Sequence, residues 1–413
     1  MKKRALALIL GMVMLLGILA GCGEQNKPGG QSIKVWIPPY AKSDAELTDQ
    51  MFWDQQFDAF EKEHNCTVEV EILPWDGYKQ KVTTGLISNE GPDVVYIDTP
   101  YDLVETGAFE PLDSYFTAEE ADQYLYWDLG QIMGKQYIAP MLVGNASVLY
   151  CNMDILKQAG FDRPPETWDE LIDYCLAIQE KVPDVSPFLQ NWGGSGKGVL
   201  MVSWLPYYWQ TGESFLDAEG KPSINNAGGL KTVEFLKSLM DKGIFDDTIT
   251  ATENPKDLFQ EGKLAMYVGD TGSAKKNTAA GINWSVIPAL SGPTGIQATW
   301  IAADSLAIAS NSKNKELAVE AMKYMLSAPV MDALHEQMYA MCPITKDAKF
   351  YDDERFQAMY VDQAEIFHNW PAFANSDAFY DYLLKNMQAM YMGQLTPQQV
   401  LEDTMKQYEE FVS

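Results

Sequence analysis

The stretch "CTVEVEILPWDGYKQKVTTGLISNEGPDVVYID" (Cys66–Asp98) changes its pattern twice within one short segment. In "CTVEVEIL" apolar and acidic residues alternate, the mark of a strand with one buried and one wet face. Tyr78 to Ser88 then has helical spacing. "GPDVVYID" is a turn followed by an apolar run too short for a helix, which predicts a short buried strand. Strand, helix and strand in succession build a parallel sheet, because parallel neighbours need a crossover between them.

Upstream, "SIKVWIP" (Ser32–Pro38) predicts another buried strand, stopped by Pro38-Pro39 because proline cannot donate to a ladder. Phe52, Phe57 and Phe60 recur among charges and predict a helix over 52–63. Downstream, "YIAPMLVGNASVLYCN" is extended and apolar, with Gly144-Asn145 in its middle. Helices follow at Met153–Ala159 and in "PPETWDELIDYCLAIQEK", where Thr167 and Glu170 have capping-box spacing. "NWGGSGKGVLMVSWLPYYWQ" is a Gly-rich turn leading into aromatics, and "DAEGKPSIN" a hairpin-like turn. Gly228–Lys242 is an amphipathic helix stopped by Gly243. "LFQEGKLAMYVG" gives a helix end, a Gly turn and a strand, and "TWIAADSLAIAS" is extended again. Lys315–Leu326 places Ala318, Met322 and Met325 on one helical face, and the chain beyond Phe350 is mostly helical. The fold class is α/β.

The amino terminus has its own logic. Lys2, Lys3 and Arg4 precede an apolar run from Ala5 to Ala20, the layout of a secretory signal peptide. The run is shorter than the roughly 20 apolar residues a membrane span needs. Leu19-Ala20-Gly21-Cys22 resembles a bacterial lipobox. That resemblance implies removal of residues 1–21 and diacylation of Cys22, since one acyl chain alone anchors only marginally. Gly23–Gln31 predicts a flexible tether, because Gly, Pro, Asn and Gln bury too little surface to fold.

The remainder is long enough for about two domains. Asp and Glu number 58 against 30 Lys and Arg, a formal net charge of -28. Such a surface disfavours nucleic acid and acidic substrates and tolerates neutral or cationic ones. Cys66, Cys151, Cys175 and Cys342 lie far apart without CxxC spacing, so buried thiols are expected, with a Cys151–Cys175 bridge as the one disulfide to consider.

Several segments together resemble the extracellular solute-binding lipoproteins of ABC importers, in the sugar-binding group that includes maltose-binding proteins. They are "ASVLYCNMDILKQAGFDRPPETWDEL" (Ala146–Leu171), "LFQEGKLAMYVGD" (Leu258–Asp270) and "SLAIASNSKNKELAVEAMKYML" (Ser305–Leu326), with "GPDVVYID" and "GQLTPQQVLEDTMKQYEEF" in support. The resemblance implies two α/β lobes with a ligand cleft between them. Lobe one would comprise residues 32–143 plus 304–349, and lobe two 144–303 plus 350–413. The chain would cross near Val143–Ser147, Ala298–Ala303 and Phe350. It further implies an extracytoplasmic, monomeric receptor, anchored through Cys22, that hands a carbohydrate ligand to ABC permease subunits and uses no metal or cofactor.

A sugar offers hydroxyls at its edge and weakly apolar C–H faces. Its cleft should therefore combine flat rings with carboxylates and amides on loops, because buried polar groups left unpaired cost about 1–3 kcal/mol each. Positions of that kind are Trp36 and Tyr40, which flank the end of the first strand, then Asp98, Thr99 and Tyr101 after the third. Asn145 lies at the first crossing, Asn191 and Trp192 in the Gly-rich loop, and Trp300 at the second crossing. Trp370 and Tyr380 stand where the family places aromatic contacts. Core packing is the competing role for each ring. Trp192 and Trp300 stand out because Gly and polar residues surround them, whereas Trp168 belongs to a helix start. The family commonly has a Trp just past "LAMYVG"; here Asp270-Thr271-Gly272 follows, which offers a carboxylate to a hydroxyl or a cation.

Enzyme signatures are weak. His335-Glu336 does not extend to HExxH, Gly196-Lys197-Gly198 lacks the rest of a P-loop, and no GxSxG surrounds Ser195. A binding protein is expected. Two alternatives remain at this point: a polyamine-like cation held by Asp98, Asp270 and Asp304, and a secreted carbohydrate hydrolase working with two carboxylates.

Overall fold

A computed structural model describes residues 30–41, 45–88, 90–98, 100–190, 192–194, 196–245, 254–338, 341–348 and 354–413. The signal sequence, Cys22 and most of the tether lie outside the described residues, as do Thr99, Asn191 and the crossing expected near Phe350.

The chain opens with β1 (Ser32–Ile37), α1 (Asp49–His64), β2 (Thr67–Ile72), α2 (Tyr78–Ser88) and β3 (Val94–Ile97). The three strands pair in parallel, β2 and β3 on either side of β1, as the Cys66–Asp98 pattern predicts. α1 buries Phe52, Trp53, Phe57 and Phe60 against them, and its Thr48 N-cap accepts from the Met51 amide. β4 (Ile138–Gly144) then runs out of this sheet, and β5 (Val148–Asn152) starts another.

In the second sheet β5 is joined by β6 (Ser186–Leu189), β7 (Leu264–Gly269) and β8 (Trp284–Ile287), in the order β8-β5-β7-β6. α3 (Trp168–Lys181) and α4 (Ala227–Asp241) pack on it. At the start of α3 the Thr167 hydroxyl does accept from the Glu170 amide, at 3.2 Å. The reciprocal half of the box is missing, because Arg163 captures the Glu170 carboxylate at 2.7 Å. The chain returns through β9 (Thr299–Trp300) and β10 (Ala302–Ile308), which completes the first sheet with α5 (Lys315–Met325) and β11 (Cys342–Pro343). Its final order is β11-β4-β10-β3-β1-β2, so an antiparallel half, invisible in the strand–helix–strand pattern, adjoins the parallel one. β12 (Phe367–His368) pairs with β9, and α6 (Ser376–Tyr391) and α7 (Pro397–Val412) finish the second half of the molecule.

Each sheet thus carries its own buried core, one reaching from Ile33 to Ala348 and the other from Leu149 to Tyr408. A third, smaller core lies where the chain crosses, built from Val143, Ala146, Val148, Ile301 and Ala303 with Tyr150, Tyr267 and Tyr360. Cys66, Cys151, Cys175 and Cys342 are all thiols, and no Cys151–Cys175 bridge forms. Burial pushes the Cys151 and Cys175 thiols far up. Phe379 is fully buried against Phe215, Phe373 and Tyr408. Phe379→Ala is therefore expected to cost about 3–5 kcal/mol in urea unfolding, the usual range for deleting a buried ring.

Candidate functional site

Two adjoining cavities open between the halves. The first, about 450 Å³, has one wall from the first sheet and the other from the carboxyl-terminal helices. Asp98 follows β3 at its carboxyl end, and Tyr101 starts the short helix Tyr101–Glu105. Strand ends are where an open α/β sheet presents side chains to a ligand. Opposite them stand Trp370, Lys197, Asp377 and Phe411. The Tyr101 hydroxyl reaches across to the Ala374 backbone, so the halves touch at this point.

Charges in this cavity are largely matched. Lys197 binds Asp377 at 2.5 Å and lies 5.2 Å above the Trp370 ring. Lys79 sits 3.9 Å from Asp102. Burial pushes the Asp377 carboxyl up, but the Lys197 hydrogen bond and the charges of Lys197 and Lys79 more than offset this and hold it below its ordinary value.

The second cavity, about 570 Å³, is walled by the crossings and the second sheet: Asn145, Ser147, Trp300 and Ala302, then Tyr267 to Asp270 and Lys256. Asn145 has a φ of 48°, a left-handed conformation that Asn tolerates better than most residues. It turns the chain between β4 and β5 and leaves its amide exposed. Asp270 is paired with Lys256, so the cation it meets belongs to the protein. Consecutive residues divide between the cavities, Lys197 and Ala303 in the first, Gly198 and Ala302 in the second. Between them Trp300 and Trp370 meet at 6.3 Å and 63°. The structure therefore brings Asp98, Tyr101, Asn145, Asp270, Trp300 and Trp370 into one bipartite cleft.

Four of the expected site residues lie elsewhere. Trp36 is packed against α2, where Gly85 leaves room for its ring; a Cβ there would come within 2.7 Å of it. Trp192 is buried between Phe245 and Tyr391, because Gln388 fastens the Gly-rich loop by the carbonyls of Trp192 and Gly194. Tyr380 is fully buried, bonds the Pro371 carbonyl at 3.3 Å and supports Trp370 from beneath at 4.8 Å. Tyr40 is buried with its hydroxyl on Asp304.

That last contact belongs to a group the loop-by-loop reading did not assemble. Asp304 accepts from Tyr40 and, at 3.1 Å, from Tyr96, with Asp98 nearby. Burial raises its carboxyl to about 6; the two hydroxyls lower it and the Asp98 charge raises it. Trp75, exposed after β2, was likewise not among the expected residues. It stands among Pro74, Asp76 and Gly77, outside any apolar period, which is the criterion that singled out Trp300. Lys197 and Lys256 were invisible as site residues because their carboxylate partners lie 180 and 14 positions away.

The Asp304 carboxyl titrates near 6 when folded and near 4 when unfolded. As pH rises through that window the unfolded chain loses its proton first, so this residue's contribution to stability falls and is gone above about pH 6. Ligand-free Asp304→Asn should melt with the wild type at pH 4 and above it at pH 7.5. A pH-independent difference in scanning calorimetry would contradict this.

Among the described residues no helix is long and apolar enough to cross a membrane, and no three His, Cys, Asp or Glu side chains converge as a metal site. The chain is 29% identical over 373 residues to a binding protein of Brucella abortus, covering 85% of this chain and 87% of that one. It is 27% identical over 355 residues to the diacetylchitobiose binding protein of Streptomyces coelicolor, covering 79% and 78%. Its fold matches that of the cyclic alpha-maltosyl-1,6-maltose binding protein from Arthrobacter globiformis with a TM-score of 0.75 at 16% identity, over 92% of this chain and 98% of that one. Residues 44–332 match the model of the bacterial extracellular solute-binding proteins, and with its two lobes and intervening cleft this chain belongs to that family.

Proposed function

We propose that this protein captures a neutral mono- or oligosaccharide outside the cytoplasm and delivers it to the permease of an ABC importer. The carrying observation is the composition of the cleft. Trp300, Trp370 and Tyr101 supply flat faces, and Asp98 and Asn145 supply groups for hydroxyls, while Asp270 and Asp377 are already neutralised by Lys256 and Lys197. A cationic ligand such as a polyamine would have to displace those lysines. The diacetylchitobiose-binding relative supports the same class of ligand. Binding requires no covalent step: the two halves close on the sugar, and the closed pair presents a joint surface to the permease. ATP is hydrolysed by other chains. Lipid on Cys22 would keep the monomeric receptor near its partner.

Titration calorimetry against neutral oligosaccharides and spermidine tests the ligand class. At least one neutral sugar should bind with 1:1 stoichiometry and be recovered unchanged, and Trp370→Ala should weaken it by at least ~1 kcal/mol, the usual worth of an aromatic contact. Binding of spermidine alone, or turnover of the sugar, would contradict the proposal. In a bacterial host Cys22→Ala should release the protein from the membrane fraction and abolish palmitate labelling. Retention with the label intact would exclude Cys22 as the anchor.

A further inference from the structure

We propose that Trp75 forms an outer sugar-stacking subsite on the rim of the first half, next to the Asp98 cavity, and that it sets the length of oligosaccharide the protein prefers. The inference rests on the carbohydrate reading above and extends it.

Of the eleven tryptophans Trp75 alone is exposed, at 52%. A single exposed apolar side chain is ordinary on a protein surface. An exposed indole that is pinned is less so. The Trp75 Nε1–H donates to the Pro39 carbonyl at 3.2 Å. Tyr96 meets it edge-on at 5.5 Å and 87°, and Tyr40 does so at 6.4 Å and 81°. Tyr78 lies at 6.4 Å. The ring is thus fixed before any ligand arrives, and a partner that stacks on it pays little to order it.

Its position selects the partner. Pro39 follows β1, Trp75 follows β2, and Tyr96 lies two residues before Asp98 at the end of β3, so the ring sits at the strand ends that face the cleft. Lys79, four residues on, already lines the first cavity. Behind the ring stands the polar half of a sugar site. The Asp304 carboxylate accepts from Tyr96 and Tyr40, which leaves part of its four lone-pair sites for a ligand hydroxyl. Asp304 as a residue keeps partial exposure. A flat apolar face beside a carboxylate fits one pyranose unit, and Lys79 and Asp98, which line the cavity, lie on the side from which the same chain would extend to it.

The test is a ladder of one to six units from a neutral series that the wild type binds, malto-, galacto- or chito-oligosaccharides, titrated into wild type, Trp75→Ala and Trp75→Tyr. The shortest ligand bound should show the same affinity for all three proteins. Longer members should gain affinity on the wild type, lose at least fivefold on Trp75→Ala and recover most of it on Trp75→Tyr. Asp304→Asn should also lower affinity for the longer members only. Unchanged affinity at every length, or an equal loss at every length, would overturn the subsite while leaving the carbohydrate reading intact. Failure of the wild type to bind any of the three series would overturn both.

Discussion

The antiparallel pairing of β4 with β10 is the constraint on which the rest depends. Both strands lie in the first sheet and run to the crossings, with Gly144 opposite Ala302 and Val143 opposite Ala303. Beyond the sheet the two crossings stay fastened: the Ser147 amide donates to the Trp300 carbonyl at 2.9 Å, and the Thr299 hydroxyl donates to the Ser147 carbonyl at 2.5 Å. The return near β12 joins them through the Ile301 amide on the His368 carbonyl at 2.9 Å. Three passages of chain are thereby held side by side in a small core of their own. Two larger cores can then pack independently and still share a cleft, because this narrow, hydrogen-bonded ribbon joins them.

The same constraint places the chemistry. Asn145 and Trp300 come from crossings more than 150 residues apart in the chain, yet the Ser147–Trp300 bond makes them neighbours in the second cavity. Trp300 then meets Trp370, and through it the first cavity. Two carboxylates that would otherwise make the cleft strongly acidic, Asp270 and Asp377, are met by Lys256 and Lys197. The large negative charge of the chain is therefore a property of the outer surface more than of the site. A neutral ligand loses least to desolvation in such a place, and the rings supply contact area that costs little side-chain entropy.

Much of the fold was legible because its pattern is local. Alternation in Thr67–Ile72, the apolar run Val94–Ile97 and the helical spacing of α1 and α2 each depend on neighbours a few residues away. The order of β4, β10 and β11 was not legible, since antiparallel pairing over more than 150 residues leaves no mark in either strand. Site residues divide the same way. Asp98, Tyr101, Asn145, Trp300 and Trp370 were readable as rings and polar groups outside an apolar period. Trp192 met that test as well and is packed inward under a loop held by Gln388, while Trp36, inside the first strand, packs against the gap that Gly85 leaves. Whether a loop folds inward is decided by such distant partners, and so are the Lys256–Asp270 and Tyr40–Asp304–Tyr96 contacts.

The most direct measurement is small-angle X-ray scattering of the soluble chain, lacking residues 1–22, with and without a saturating neutral oligosaccharide that titrates in calorimetry. Two lobes joined by a hydrogen-bonded ribbon and closing on a sugar predict a smaller radius of gyration and a shorter maximum dimension in the bound state. Saturation with no change in either quantity would contradict closure of the cleft around its ligand.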